Sequence, residues 1–158
     1  MKRTLLAALA VLAAHALLAC SDDGGGGDVA LFPTDYAATY QQVRNCRMSL
    51  EHGFVPIRVL AAPDALAPYQ GRGAPFPDGA IVLKEEYEGG DSACAGAPMR
   101  FTVMKKLPAG TAPDALDWTW QEVDADRAST GKDIARCIGC HTDCGKPPDG
   151  FDGTCTVP

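Results

Sequence analysis

Two cysteines three apart, followed at once by a histidine, concentrate the chemistry of this chain in RCIGCHTDCGK, near its C-terminal end. On a helix, positions 137, 140, 141 and 144 project from one face, because residues three and four apart are neighbours there. Three chemistries use such a set. Covalent haem c attachment takes the two thiols as thioethers and the adjacent histidine as the iron ligand on one side. A Cys3His zinc site would recruit Cys144 as well, but structural zinc sites usually draw on two separated ligand pairs rather than on one helical face. A thioredoxin-like redox pair would need a βαβ context, which is missing here. The spacing therefore predicts one covalent haem c, held by Cys137 and Cys140, with His141 as axial iron ligand. A zinc cluster is the runner-up.

What faces the iron from the other side separates an electron carrier from a ligand-binding or catalytic haem. Only 17 residues follow His141, and none is methionine. Met48, Met99 and Met104 lie upstream, the last two in strand patterns where methionine ordinarily packs the core. His52 is the remaining histidine once the N-terminal segment is set aside. An open, apolar distal side is expected, with His52 as the alternative sixth ligand. A catalytic haem would also need a general base, and the candidates are Glu51, His52, Glu85 and Glu86. Phe54 and Phe101 are candidates to cap the distal side.

The elements that must position these residues read as helix, strands, helix. In residues 33–46, Tyr36, Tyr40 and Val43 fall at helical spacing behind an N-cap at Thr34 or Asp35, which predicts an amphipathic helix. Residues 54–61, 80–87, 99–107 and 117–123 read as strands. Pro63 can open a short helix, and Pro77, Asp78 and Gly79 signal a turn. Alternation in AIVLKEE sends Ile81, Leu83 and Glu85 to one face and Val82, Lys84 and Glu86 to the other, with Glu85 expected at a solvated strand end. A last helix is expected from Ser129 or Thr130 to about His141. The fold class is α+β: an antiparallel sheet of four to five strands, flanked by an N-terminal helix and a C-terminal haem-binding helix.

The N-terminus, MKRTLLAALAVLAAHALLAC, joins two cations to an apolar run too short for a comfortable membrane span of roughly 20 residues. It reads as an export signal over residues 1–19 and ends in a stretch that resembles the bacterial lipobox, with Cys20 lipid-modified. Residues 20–32, rich in glycine, suit a flexible tether. Residues 33–158 then make one domain, bacterial, lipid-anchored in the cell envelope and facing the periplasm. Without Lys2 and Arg3, 12 basic side chains stand against 20 acidic ones, a net charge of −8, which argues against nucleic acid as a partner. Of seven cysteines, four remain after Cys20, Cys137 and Cys140 are assigned, and an exported chain favours their oxidation. Three connectivities exist. The turn-forming loop between Cys144 and Cys155 favours that pair, which leaves Cys46 with Cys94.

The C-terminal motif behind a mainly β domain, FPDGAIVLKE at residues 76–85, VMKKL at 103–107 and DWTWQEV at 117–123 together resemble the cytochrome P-460 and cytochrome c prime-beta family, over roughly residues 33–145. The resemblance implies a five-coordinate haem c with His141 proximal, a distal pocket walled by the sheet, nitric oxide, related small ligands or hydroxylamine as the reacting partner, and a homodimer. In its hydroxylamine-oxidising members a lysine from the region leading into the first long strand is linked to the haem. No lysine occurs here between Lys2 and Lys84, so that link is not expected. The alternatives are a six-coordinate electron-transfer cytochrome c with a redox partner protein, and a zinc-bearing, cysteine-stapled structural lipoprotein.

Overall fold

The computed structural model describes residues 28–71, 74–146 and 150–155. The expected export signal and Cys20 lie outside the described residues. The fold is α+β, built on six antiparallel strands that pair in chain order. They are β1 (Gln41–Ser49), β2 (Val55–Ala61), β3 (Ile81–Glu86), β4 (Arg100–Lys106), β5 (Trp118–Asp124) and β6 (Ser129–Lys132). Helix α1 (Tyr36–Thr39) precedes β1, α2 (Pro63–Gly71) joins β2 to β3, and α3 (Ala135–Thr142) follows β6. Among the described residues no helix is long and apolar enough to cross a membrane.

The four central strands lie where the β-branched and aromatic pattern put them, to within a residue. Both edges depart from expectation. The helix expected over residues 33–46 shrinks to α1, and the chain from Gln41 onward becomes an edge strand. Tyr36 and Tyr40 owe their spacing to an aromatic cluster rather than to a long helix: Phe32, Tyr36 and Phe101 pack with ring centroids 5.1 to 5.7 Å apart. The expected N-cap region of the last helix, residues 129–132, is instead β6, and α3 begins at Ala135.

The sheet separates two environments. On one face Leu83, Phe101, Val103 and Val123 are buried under the N-terminal segment around Phe32 and Tyr36. Gln121 is buried on this side because its amide serves the incoming chain: Leu31 N–H donates to Oε1 at 2.8 Å, and Nε2 donates to the Val29 carbonyl at 3.0 Å. The opposite face carries Ile57, Val59, Val82, Lys84, Met104 and Trp120, and lines a cavity of about 370 Å³ beneath α3. The C-terminal strap, residues 150–155, closes this side. Trp118 Nε1 donates to the Asp152 carbonyl at 2.8 Å, and Lys106 Nζ donates to the Asp152 carboxylate at 2.9 Å. The structure pairs Cys46 with Cys94 and Cys144 with Cys155.

Candidate functional site

Helix α3 brings Cys137, Cys140 and His141 to the cavity wall, as their three- and four-residue spacing requires. Among the described residues Cys137 and Cys140 are the free thiols. Burial pushes the Cys137 thiol up, with Glu122 adding to the effect. His141 is held below its ordinary value by burial, so it stands as a neutral imidazole at pH 7. Its Nδ1 faces the carbonyl of Gly153, which can only accept, so Nδ1 carries the proton. The lone pair is thereby left on Nε2. A backbone carbonyl that fixes the tautomer in this way is the usual outer-shell partner of a metal-binding histidine.

The sheet supplies the other wall, mostly apolar through Ile57, Val59, Val82, Met104 and Trp120, with Lys84 and His52 as its polar centre. Lys84 Nζ donates to His52 Nε2. Burial pushes the Lys84 amine down to about 8, against the opposing field of Glu86. His52 is pushed down to about 3, first by burial and then by the Lys84 charge. It is therefore neutral at pH 7, and its 3.9 Å approach to Glu86 is a polar contact rather than an ion pair. Glu86 is fully buried behind His52; Arg100 donates to its Oε2, while Oε1 has no hydrogen-bond partner among the described residues.

The four candidate bases separate. Glu51 and His52 line the cavity, and Glu86 lies one contact deeper. Glu85 is on the opposite face, which corrects its inclusion among distal residues and its expected solvation. It is 2 % exposed and accepts from Arg58 Nε at 2.6 Å, Tyr87 OH at 2.7 Å and Tyr36 OH at 3.1 Å. Phe101 belongs to the same far-face core, and Phe54, 70 % exposed, stands at the β1–β2 turn, so neither caps the cavity. Of the methionines, Met104 is in the cavity wall and Met48 is exposed on the edge strand.

Three charged residues of the cavity wall are not among the candidates the sequence offers. Lys84 is one: alternation places it on the same face of β3 as Val82, and the tertiary structure turns that face to the cavity. Arg44 and Arg47 are the others; Arg44 falls in the segment that reads as a helix, and Arg47 follows just beyond its end. The Cys3His zinc set is not assembled among the described residues, since the Cys144 sulfur is bonded to Cys155 and no group of three ligating side chains is present.

A lined cavity within the range of cofactor pockets, about 300–1,000 Å³, two unpaired thiols on one helical turn and an imidazole with a fixed tautomer fit a haem of the c type. Residues 33–147 match the family Cytochrome P460, and the chain belongs to that family. Membership implies a haem c cofactor. No curated protein matches the chain.

Proposed function

We propose that this protein is an exported, lipid-anchored monohaem c cytochrome that binds nitric oxide or a related small ligand, or oxidises hydroxylamine, on the sheet side of its haem. Cys137 and Cys140 would hold the haem as thioethers, and His141 would ligate the iron through Nε2. The haem, when bound, supplies an iron that takes up small ligands and exchanges electrons. The observation that carries the reading is the asymmetry of the cavity. On the helix side an imidazole is aimed and fixed by Gly153, while on the sheet side the wall is mostly apolar around a polar centre in which Lys84 engages the Nε2 of His52. Such a wall admits a small uncharged ligand and excludes bulk water.

The chain's own groups also supply what proton transfer would need. Lys84 and His52 hold a proton between Nζ and Nε2 at the cavity surface, and Glu86 stands behind them as the buried carboxylate. Lys84 is not at the position of the family's haem-linked lysine, since it lies within β3, but it is the lysine that lines the cavity among the described residues. A peptide map of the holoprotein decides between the branches: a haem peptide that contains both Lys84 and the 137–141 segment marks hydroxylamine oxidation, and separate peptides mark ligand binding.

The test of the main reading is the ferrous absorption spectrum with and without carbon monoxide. A high-spin spectrum that shifts with carbon monoxide is expected; a colourless protein would end the proposal. One observation favours a second reading, a six-coordinate electron carrier. The His52 and His141 rings lie 6.4 Å apart between centroids, so His52 is near enough to compete for the iron. A low-spin spectrum indifferent to carbon monoxide, converted to high spin by His52→Ala, would establish that reading instead. Lipidation at Cys20, a periplasm-facing envelope location, a redox partner protein and homodimer formation complete the proposal, supported by the N-terminal pattern, the acidic charge and the family resemblance.

A further inference from the structure

Arg44 and Arg47 stand three residues apart on β1, and in an uninterrupted strand an odd spacing sends side chains to opposite faces. Here both line the cavity. The register explains it: Arg44 pairs with Val59 and Arg47 with Ile57, so three steps on β1 oppose two on β2. The extra residue makes a β-bulge, which re-aims the side chains beside it. Val59 and Ile57 are themselves cavity residues, and their cross-strand partners share their face. Cys46 lies inside the bulge, and its bond to Cys94 ties it to the connection between β3 and β4.

The arginines want an acceptor. Arg44 Nη1 is buried without a hydrogen-bond partner among the described residues, and neither arginine has an ion-pair partner there. Leaving a buried donor unsatisfied is unfavourable, and the guanidinium fork matches a carboxylate. Position identifies which carboxylate. Asp133 N–H donates to the Trp120 carbonyl of β5 and Cys137 N–H to the Ile134 carbonyl just after it, so α3 leaves the sheet at its β5–β6 end and Cys137 lies on that side of the cavity. Strand β1 is the opposite edge, four strand spacings from β5, roughly 19 Å at about 4.8 Å each. A haem c tethered through its vinyl edge carries its two propionates on the edge away from the tether.

We propose that Arg44 and Arg47 form a carboxylate-binding edge of the cavity that holds the haem propionates, and that the Cys46–Cys94 bond fixes the bulge which aims them. This rests on the reading that Cys137 and Cys140 carry the haem, so the mass of the wild-type holoprotein is measured first. A wild type without haem overturns both readings. With haem present, the midpoint potential is measured between pH 5 and 7 for wild type, Arg44→Gln with Arg47→Gln, and the double lysine variant. Unpaired propionates favour the ferric form, and protonating them reverses this. The glutamine variant should therefore disfavour the ferrous form about tenfold at pH 7, about 59 mV for one electron. Its potential should rise as pH falls, the lysine variant should lie between, and the wild type should stay flat. A glutamine variant identical to wild type at every pH overturns the clamp alone. Should that variant fail to mature, the wild-type titration still decides, because a propionate-like break in it also overturns the clamp.

Discussion

Glu85 and Glu86 are neighbours in sequence, yet they serve opposite sides of the sheet, and each side asks something different of a carboxylate. Glu85 accepts from Arg58, Tyr36 and Tyr87, so it pins the N-terminal segment to the sheet. Glu85→Gln should cost about 2 kcal/mol, the scale of hydrogen bonds to a charged group, kept low because Arg58 is a third exposed and screened by solvent. Denaturant unfolding should show that loss while the ligand-binding spectrum stays unchanged; a spectral change would contradict the far-face placement. Lys84 makes a pH prediction. Its amine is pushed down to about 8 from 10.5 by burial, so between these values the unfolded chain binds more protons than the native one. Stability must then rise with pH from about 8. The rise ends near pH 10, where Tyr36 and Tyr40, pushed up to about 12 chiefly by burial, keep their protons in the fold and reverse the slope. Urea melts of an apoprotein with Cys137→Ala and Cys140→Ala should show the rise, and adding Lys84→Met should flatten it.

At the scale of elements, α3 presents the motif, but the strap over residues 150–155 orients it. Gly153 supplies the carbonyl for His141, and Asp152 is anchored by Trp118 and Lys106. Gly150 makes the approach: a Cβ there would meet the Cys144 carbonyl oxygen and the Gly145 backbone at 2.5 Å. Backbone cannot step aside as a side-chain tip can. Gly150→Ala should therefore lift the strap, cost about 1–3 kcal/mol and weaken the iron–histidine stretching band in the ferrous Raman spectrum. An unaltered band would show that Gly153 does not depend on this close approach. The two strands missing from the sequence reading, β1 and β6, are both edges. Edge strands take their hydrogen bonds from one neighbour and tolerate polar, short or bulged sequences, so composition marks them poorly.

At the scale of the molecule, the cysteines among the described residues divide by environment, with two pairs closed and two thiols turned to the cavity. Alkylation of unreduced, denatured protein should therefore label Cys137 and Cys140 in the apoprotein and neither in the holoprotein, with Cys46, Cys94, Cys144 and Cys155 protected in both. Peptide mass spectrometry reads the pattern, and labelling of Cys144 or Cys155 would remove the strap's covalent anchor from the account. The charge balance adds a solution property: an acidic chain that meets a cationic electron donor should do so more slowly as salt rises.

The central strands, the one-face spacing of Cys137, Cys140 and His141 and the division of β3 into two faces follow from the sequence alone, because alternation and i, i+3, i+4 spacing are local properties of the backbone. The sequence favours Cys144 with Cys155 among three connectivities, and the tertiary structure is what closes that pair and Cys46 with Cys94. Tertiary structure alone decided which face of β3 meets the cavity, and so exchanged Glu85 for Lys84 at the site. It also decided that a bulge on an edge strand brings Arg44 and Arg47 to one side. Both outcomes depend on cross-strand register, which is set by partners dozens of residues away and leaves no periodic trace in the segment it acts upon.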